Sequence, residues 1–297
     1  MNQGASVDAS FSNTGDFMNS QQTQEVFSFE FFPPRTPEGV ENLRKTRAEL
    51  AELNPAYFSV TFGAGGSTQK GTLETVVEIQ QSGINAAPHI SCIGSEPEEI
   101  RNLLQQYKDA NIRRLVALRG DMPSGMHTPG CFRYANELVS FIRSEFGDHF
   151  HIEVAAYPEM HPQASNYAAD LNNFKQKIEA GADSAITQYF YNPDAYFRFV
   201  DDCRKLGVNA PIVPGIMPIT NYKQLARFSD ACGAEIPRWV RKRLEAYDDD
   251  MESIREFGFD VTLDLCRKLL EWGVPGLHFY AMNRSEPARR LWQELGL

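Results

Sequence analysis

The sequence predicts an α/β protein whose fold is a single (β/α)8 TIM barrel with a disordered N-terminal tail. Short apolar runs alternate with amphipathic helical patterns from Val26 to the end of the chain, and eight of these runs have the length of strands. The alternation occupies roughly 270 residues, close to the usual barrel size of about 250. An open doubly wound sheet is the alternative, but no predicted strand leads into a G-x-G-x-x-G or Walker-type G-K-[ST] sequence.

Composition and charge narrow the possible classes of protein. The chain has 297 residues, 42% of them hydrophobic, which is enough for a large core. The formal net charge of -10 argues against a general nucleic-acid or anionic-membrane surface, and no segment has the uninterrupted apolar length of a membrane span. The five cysteines are scattered without a C-x-x-C pair, which fits a reduced compartment. We therefore expect a cytoplasmic protein that binds neither nucleic acid nor membrane.

The first 24 residues differ in composition from the rest of the chain. They are rich in Ser, Asn, Gln, Gly and Thr, contain no Lys or Arg, and have too little apolar surface to offset the entropy of ordering. They also lack the positive and apolar regions of a signal peptide. We predict a flexible polar tail at residues 1–24 and one catalytic barrel domain at residues 25–297, because no low-complexity linker divides the remainder.

The first predicted strand contains a carboxylate inside a run that is otherwise suited to a core, Phe27-Ser28-Phe29-Glu30-Phe31-Phe32-Pro33-Pro34-Arg35. Alternation along the strand places three phenylalanines on one face and Ser28, Glu30 and Phe32 on the other, so Glu30 points where water is scarce. The two prolines end the strand. Two interpretations stay open: a structural carboxylate paired with an arginine, or an acid whose pKa is raised by desolvation so that it delivers a proton near neutral pH.

The remaining elements follow in order along the chain. The later strands are predicted at Ala56–Phe62, Ala86–Ser91, Arg114–Arg119, His151–Ala156, Ser184–Gln188, Pro211–Pro214 and Gly276–Tyr280. Apolar residues spaced i, i+3, i+4 and i+7, such as Ile100 to Tyr107, predict helices between successive strands. The helices with predicted bounds are Gln69–Ser82, about Tyr134–Phe146, Tyr222–Glu271 with breaks near Gly233 and Pro237, and Glu286–Leu295.

Unusual polar residues stand at the predicted carboxyl ends of the strands, where barrel enzymes place their active sites. They are Glu30, Thr61, His89, Asp121, Tyr157 with His161, Gln188, and Asn283 with Arg284. Because convergent buried polar groups are costly without a ligand, this pattern predicts a binding site.

Several of these residues also have ordinary structural interpretations. Arg119 and Asp121 are placed to form an ion pair beside a turn, and His89 alone fits a hydrogen-bonded core imidazole. Gln188 either caps the aromatic cluster that follows it or hydrogen-bonds a flat ring. A metal site is disfavoured, because no pair among the three histidines near strand ends has H-x-H or H-x-x-x-H spacing; these are His89, His151 and His161.

Two further features suit a phosphate group. Lys175 and Lys177 on the fifth helix would ordinarily be solvated, but they are also able to neutralise a pyrophosphate. The glycine-rich loop at Gly63–Gly66 opens into a helix and offers backbone N–H donors.

Seven motifs occur in order along the chain, each at a different predicted strand. They are Phe29-Glu30-Phe31-Phe32-Pro33-Pro34-Arg35, Ser59-Val60-Thr61-Phe62-Gly63-Ala64, Ala87-Pro88-His89, Ala117-Leu118-Arg119-Gly120-Asp121, Ala155-Ala156-Tyr157-Pro158-Glu159, Ala185-Ile186-Thr187-Gln188 and Phe279-Tyr280-Ala281-Met282-Asn283-Arg284. Together they resemble the bacterial methylenetetrahydrofolate reductase family, from about residue 25 to residue 297.

The resemblance implies an FAD-containing barrel that reduces 5,10-methylenetetrahydrofolate to 5-methyltetrahydrofolate with NADH or NADPH, supplying methyl groups for methionine synthesis. In that family the nicotinamide and the folate use the same flavin face in turn, which is a ping-pong scheme. The resemblance also implies a homo-oligomer. Because the chain ends after the last barrel helix, we expect no regulatory domain and no control by S-adenosylmethionine.

Individual roles follow from the same resemblance. Glu30 would be the general acid that helps open the five-membered ring, and Asp121 would hold the pterin and tune the flavin. Other substrate contacts would be Gln188, Gln224, Phe228 and Arg284. The FAD contacts would be Thr61, Phe62, Ala64, His89, Arg119, Gly120, Asp121, Tyr134, Ala135, Tyr157, His161, Ala164, Asp170, Asn173 and Lys177.

Three other functions fit the fold less well. Another flavin-dependent barrel, such as a proline-dehydrogenase-like enzyme, would oxidise NADH without turning over the folate. A metal-assisted aldolase would be colourless and would need a divalent cation. A binding or scaffold protein is least favoured, because it would not need polar groups at so many strand ends.

Overall fold

The computed structural model describes residues 25–62, 69–122 and 130–297. Its nine strand segments are β1 (Val26–Phe31), β2 (Tyr57–Val60), β3 (Ala86–Ser91), β4 (Arg114–Leu118), β5 (His151–Ala156), β6 (Ser184–Thr187), β7 (Ile212–Val213), β8 (Gly215–Ile216) and β9 (Gly276–Tyr280). They form one sheet in the order β7-β6-β5-β4-β3-β2-β1-β9-β8, and every pairing is parallel. The predicted barrel is therefore confirmed, in the form of a TIM-like α/β ring.

The ring closes through one bent strand. The segments β7 and β8 stand at the two ends of the sheet order, yet only Pro214 separates them in the chain. β7 pairs with β6, β8 pairs with β9, and the Pro214 carbonyl accepts a hydrogen bond from the His278 N–H at 3.0 Å. The sequence predicted β7, which lies within Pro211–Pro214, but it did not predict β8: proline lacks a ladder donor, so it interrupts the strand without ending it.

Helices connect the strands around the outside of the ring. They are α1 (Pro37–Ala51), α2 (Gln69–Gln81), α3 (Pro97–Asp109), α4 (Ala135–Phe146), α5 (Tyr167–Glu179), α6 (Pro193–Lys205), α7 (Tyr222–Cys232), α8 (Arg238–Ala246), α9 (Met251–Trp272) and α10 (Ala288–Leu295). The predicted breaks at Gly233 and Pro237 are confirmed, and Gly233 ends α7 in the left-handed conformation, with φ of +77°. A further break before Asp250, whose side chain caps α9, was not predicted.

The outward face of β1 is the aromatic one. Phe29 is fully buried and packs against Phe279 and Trp292, with ring centroids 5.5 and 5.4 Å away. Burying one such side chain contributes about 1.5–3 kcal/mol. Because the phenylalanines face the helices, Ser28 and Glu30 face the interior of the ring, as the alternation predicts.

Some sequence predictions fall outside the described residues. These are the tail at residues 1–24, the glycine-rich loop and Ala64 within it. Among the residues that are described, no helix combines the length and the apolar character needed to cross a membrane.

Candidate functional site

Glu30 meets two imidazoles inside the ring. Its Oε2 lies 3.3 Å from Nε2 of His278 on β9 and 3.2 Å from Nε2 of His89 on β3. The contact with His278 has hydrogen-bond geometry, whereas the Nε2 of His89 is buried without an aligned hydrogen-bond partner. The Glu30 side chain is 16% exposed and the His278 side chain is fully buried. The site therefore holds a carboxylate with a small opening to solvent and two titratable neighbours.

The charge state of Glu30 differs from the one expected from burial alone. Burial is the largest influence and raises the pKa of the carboxyl, but attraction to His89 and the hydrogen bond from His278 outweigh it and lower the pKa to about 2. The expectation of a raised pKa was therefore wrong for the ligand-free protein, because the two imidazole partners belong to other strands and were not visible in the local sequence. Ligand-free Glu30 is a carboxylate at neutral pH.

A second group of polar residues gathers beyond β4 and β5. The rings of Tyr157 and His161 meet edge to face with centroids 4.5 Å apart, and the His161 N–H donates to Asp170 at 2.8 Å. The pKa of Tyr157 is raised to about 12, first by burial and then by Cys232, Asp121 and Asp170. Tyr157, His161 and Asp170, three of the predicted cofactor contacts, therefore lie close together beyond these strands.

Lys177 is a buried cation in this region. Its Nζ donates to the Ala155 carbonyl, and burial lowers its pKa to about 8, with Asp170 acting weakly in the opposite direction. Lys175, by contrast, pairs with Glu179 at 3.5 Å on the surface. Of these two lysines, only Lys177 has no ion-pair partner among the described residues, as a phosphate-binding lysine requires.

The turn after β4 requires glycine. Gly120 has φ of +84°, and a Cβ there would lie 1.8 Å from the Ser91 hydroxyl oxygen. The Arg119 Nε donates to the Gly120 carbonyl at 3.1 Å, and no ion pair within the described residues joins Arg119 to Asp121. Asp121 is exposed and free to meet a ligand.

A cavity of about 180 Å³ opens at the mouth of the ring between β8, β9 and α7. Its lining includes Gln224, Phe228 and Arg284, together with Phe32 and Tyr280. Three of the predicted substrate contacts therefore share one cavity. A larger outer cleft of about 750 Å³, between α6, α8 and α9, contains no predicted site residue.

The remaining predicted site residues follow other strands and make few contacts with one another. Gln188 directly follows β6, and its side-chain oxygen accepts from the Tyr189 N–H at 3.0 Å. Thr61 and Phe62 follow β2, and Ala164 lies in the loop between β5 and α5. Tyr134, Ala135 and Asn173 share no hydrogen bond, ion pair or ring contact with the other predicted residues of the described chain, and Tyr134 is 59% exposed.

His278 and Ser28 are site residues that the sequence analysis missed. His278 Nδ1 lies 2.7 Å from the Ser28 hydroxyl, and both side chains are fully buried. The alternation of side chains along β9 is the feature that would have identified His278. It pairs with Ser28 across β1 and β9, so both side chains face the interior of the ring. The Tyr280 hydroxyl, two residues after His278, donates a hydrogen bond to the Thr187 carbonyl at 2.7 Å. Burial raises the pKa of Tyr280, and the negative charge of Glu30 raises it further.

No group of three or more His, Cys, Asp or Glu side chains in the described parts of the chain is arranged to hold a metal ion.

The amino-acid sequence of the chain is similar to those of known proteins. The family model described as methylenetetrahydrofolate reductase matches residues 17–296. The 5,10-methylenetetrahydrofolate reductase of Escherichia coli strain K12 is 40% identical over 277 residues, covering 93% of this chain and 92% of that protein. The methylenetetrahydrofolate reductase (NADH) 1 of Arabidopsis thaliana is 39% identical over 292 residues, covering 94% of this chain and 49% of that protein. The chain thus spans about half the length of the plant relative.

Structure comparisons agree on the fold. An uncharacterized protein from Clostridium thermocellum that binds two copies of 5-methyl-5,6,7,8-tetrahydrofolic acid matches with a TM-score of 0.64 at 18% identity. That match covers 86% of this chain and 88% of the other. Dihydropteroate synthase from Xanthomonas albilineans matches with a TM-score of 0.50 at 10% identity, covering 92% of this chain and 94% of the other. At these identities the likeness is one of fold.

Proposed function

The chain belongs to the methylenetetrahydrofolate reductase family, and we propose that it reduces 5,10-methylenetetrahydrofolate to 5-methyltetrahydrofolate. The proposal includes FAD as the bound cofactor, NADH or NADPH as the electron donor in a ping-pong order, and a product that supplies methyl groups for methionine synthesis. It also includes a cytoplasmic homo-oligomer. A fold neighbour that binds 5-methyltetrahydrofolic acid supports a folate as the substrate.

The observation that carries this proposal is the setting of Glu30. A carboxylate with 16% exposure stands at the carboxyl end of a barrel strand beside two imidazoles, and its register partner on β9, Tyr280, lines the mouth cavity. Opening a cyclic aminal requires a proton on an amine nitrogen, and a carboxyl group in this position is suited to deliver it. Covering Glu30 with a substrate removes its remaining water, which strengthens the burial effect that already raises the pKa. Substrate binding would therefore favour the protonated acid.

The residues beyond β4 and β5 fit a dinucleotide cofactor. Lys177 is a buried ammonium with no carboxylate bonded to it, which suits a phosphate. Gly120 is required because the Ser91 side chain occupies the position of a Cβ, and the turn that glycine allows there leads directly into Asp121. When bound, FAD would supply hydride transfer between the nicotinamide and the folate.

The chain's own residues would then orient the substrate and exclude water. Asp121, exposed beside the Gly120 turn, would accept hydrogen bonds from the pterin. Gln224 and Arg284 would bind its polar groups in the mouth cavity, while Phe228 would cover an apolar surface.

A visible spectrum of the purified protein tests the proposal. We expect flavin absorbance bands, bleaching by NADH or NADPH without oxygen, and recovery of the bands when methylenetetrahydrofolate is added. A colourless protein would contradict the cofactor assignment. A protein that bleaches and is reoxidised by menadione but never by the folate would contradict the substrate assignment and favour another flavin-dependent barrel.

A further inference from the structure

A second polar cluster fills the lower half of the barrel interior. Glu153 on β5 is 1% exposed and accepts three side-chain hydrogen bonds: from the Tyr57 hydroxyl at 2.7 Å, from Arg114 Nη1 at 2.9 Å and from the Ser184 hydroxyl at 3.2 Å. The Arg114 guanidinium also lies over the Tyr57 ring, 4.6 Å from its centroid. Barrel interiors are usually packed with branched apolar side chains. An ion pair with a hydrogen-bonded tyrosine is therefore an unusual filling at this depth.

This lower cluster connects to Glu30. Tyr57 and Ser28 are register partners on β2 and β1, so their side chains are neighbours in the interior, and the Tyr57 ring stacks on His278 with centroids 6.1 Å apart. Ser28 contacts His278 Nδ1 at 2.7 Å, and His278 Nε2 contacts Glu30 at 3.3 Å. Polar groups thus lead from the carboxylate at the mouth to the carboxylate below it, and only the step between the neighbours Ser28 and Tyr57 lacks an aligned hydrogen bond in the ligand-free protein.

The other end of the chain reaches solvent. Ser184 lies 2.8 Å from Nε2 of His151, and the His151 side chain is 38% exposed. His151 is the first residue of β5, so it stands at the amino-terminal face of the ring, opposite the mouth. Every intermediate group, from Ser184 through Glu153, Tyr57 and Ser28 to His278, is less than 5% exposed.

We propose that this chain of side chains is a proton relay that carries protons from solvent at the amino-terminal face of the barrel to Glu30 while ligands cover the mouth. The relay rests on the proposed folate reduction, in which the substrate gains one hydride and one proton in each turnover and Glu30 is left as a carboxylate. A substrate seated above Glu30 blocks solvent from the mouth side. The interior route restores the proton without requiring the ligand to leave.

The lower half of the relay runs from His151 to Glu153. Solvent protonates His151 on Nδ1, and its Nε2 proton passes to the Ser184 oxygen as the hydroxyl proton of Ser184 passes to Oε1 of Glu153. Arg114 supplies the counter-charge that keeps Glu153 ionised between transfers. Glu153 therefore holds the proton only in passing.

The upper half runs from Glu153 to Glu30. After its carboxyl group rotates, Glu153 gives the proton to the Tyr57 oxygen, and the Tyr57 hydroxyl turns away from Glu153 to give its own proton to the neighbouring Ser28. Ser28 donates to Nδ1 of His278, and Nε2 of His278 donates to Glu30. Each intermediate gains one proton and loses one, so the sum is one proton moved from solvent to Glu30. Rotation of the hydroxyls and exchange of the imidazole tautomers restore the resting arrangement.

Two variants interrupt the relay without touching Glu30. Tyr57→Phe removes the link between its halves, and Ser184→Ala removes the link to His151. Tyr107→Phe is the matched control, because it deletes a buried tyrosine hydroxyl that has no hydrogen-bond partner and lies on α3, outside the relay. Anaerobic stopped-flow absorbance on the holoenzyme separates flavin reduction by nicotinamide from flavin reoxidation by methylenetetrahydrofolate.

We expect both interrupting variants to keep the wild-type rate of flavin reduction and to slow flavin reoxidation by about 10- to 100-fold. This loss does not exceed the 10²- to 10⁴-fold effect of removing a general acid, because Glu30 itself is still present. The double variant should be no slower than the slower single variant, because two breaks in one path are not additive. Tyr107→Phe should match the wild type in both half-reactions. Wild-type reoxidation rates in Tyr57→Phe and Ser184→Ala, or additive losses in the double variant, would overturn the relay. A wild-type protein that the folate never reoxidises would instead overturn the proposed function.

A readout without ligands tests the resting arrangement independently of activity. Nitrogen-15 NMR of the ligand-free protein should show His278 protonated on Nε2 and bare on Nδ1, as donation to Glu30 and acceptance from Ser28 require. Ser28→Ala should alter the Nδ1 resonance, whereas Tyr107→Phe should leave it unchanged. A wild-type His278 protonated on Nδ1 would contradict the direction of the relay.

Discussion

The mouth and the floor of the barrel each contain a buried glutamate, and their partners differ. Glu30 at the mouth contacts two imidazoles, whose ring nitrogens are able to donate or accept a hydrogen bond. Glu153 at the floor contacts a guanidinium, which is always charged. Depth in the barrel therefore does not by itself decide what a buried carboxylate does. Without a permanent cation beside it a carboxyl is able to keep a proton, whereas a guanidinium keeps it ionised except while a proton passes.

Replacing Glu30 should produce the largest change. We expect Glu30→Gln to retain FAD and its reduction by nicotinamide, and to lose about 10²- to 10⁴-fold in the rate of folate-dependent flavin reoxidation, because an amide cannot deliver the proton. Stopped-flow absorbance of each half-reaction measures this directly. Near-normal folate turnover in the variant would remove Glu30 from the chemistry.

The same substitution at the floor should reduce stability in addition to interrupting the relay. Glu153→Gln leaves the Arg114 guanidinium, which is 24% exposed, without its counter-charge, and breaking a buried pair in this way costs about 3–5 kcal/mol. Urea denaturation followed by circular dichroism measures the loss in the free energy of unfolding. Glu30→Gln is the matched comparison and should lose much less stability. Equal losses in the two variants would erase the distinction between mouth and floor.

A third carboxylate, the half-buried Glu159 beyond β5, should show a smaller effect. Glu159 accepts a hydrogen bond from the Glu235 N–H at 2.7 Å and has no ion-pair partner among the described residues, so burial raises its pKa from the usual 4.5 to about 7. The folded protein therefore binds this proton more tightly than the unfolded chain does. The resulting stability is fully present below pH 4.5, declines as the pH rises to about 7, and is absent above that value.

Thermal unfolding of Glu159→Gln at pH 5.5 and pH 8 checks this sign. Between pH 5.5 and pH 8 the melting temperature should fall less in the variant than in the wild type, because glutamine keeps the acceptor oxygen and cannot ionise. An identical pH dependence in both proteins would show that Glu159 ionises as it does in the unfolded chain.

Much of the site was predictable because some signals are local. Period-two alternation alone placed Glu30 on the interior face of β1, and a glycine before Asp121 marked the turn that the φ of Gly120 confirms. Ordered motifs identified the family over most of the chain. The relay residues were harder to find, because Tyr57 and Glu153 carry no motif and are joined only when β2 and β5 face each other across the ring.

Periodicity and order along the chain were enough to predict the eight-fold alternation of strands and helices, the two faces of the first strand, and the family. Only the tertiary structure decided that the seventh strand bends at Pro214 and closes the ring. It also decided the charge of Glu30: burial acts to raise the pKa, but His89 and His278 arrive from two other strands and lower it to about 2. Electrostatic energy depends on distance in space, and a carboxyl group's nearest charges belong to whichever strands the closed barrel brings beside it.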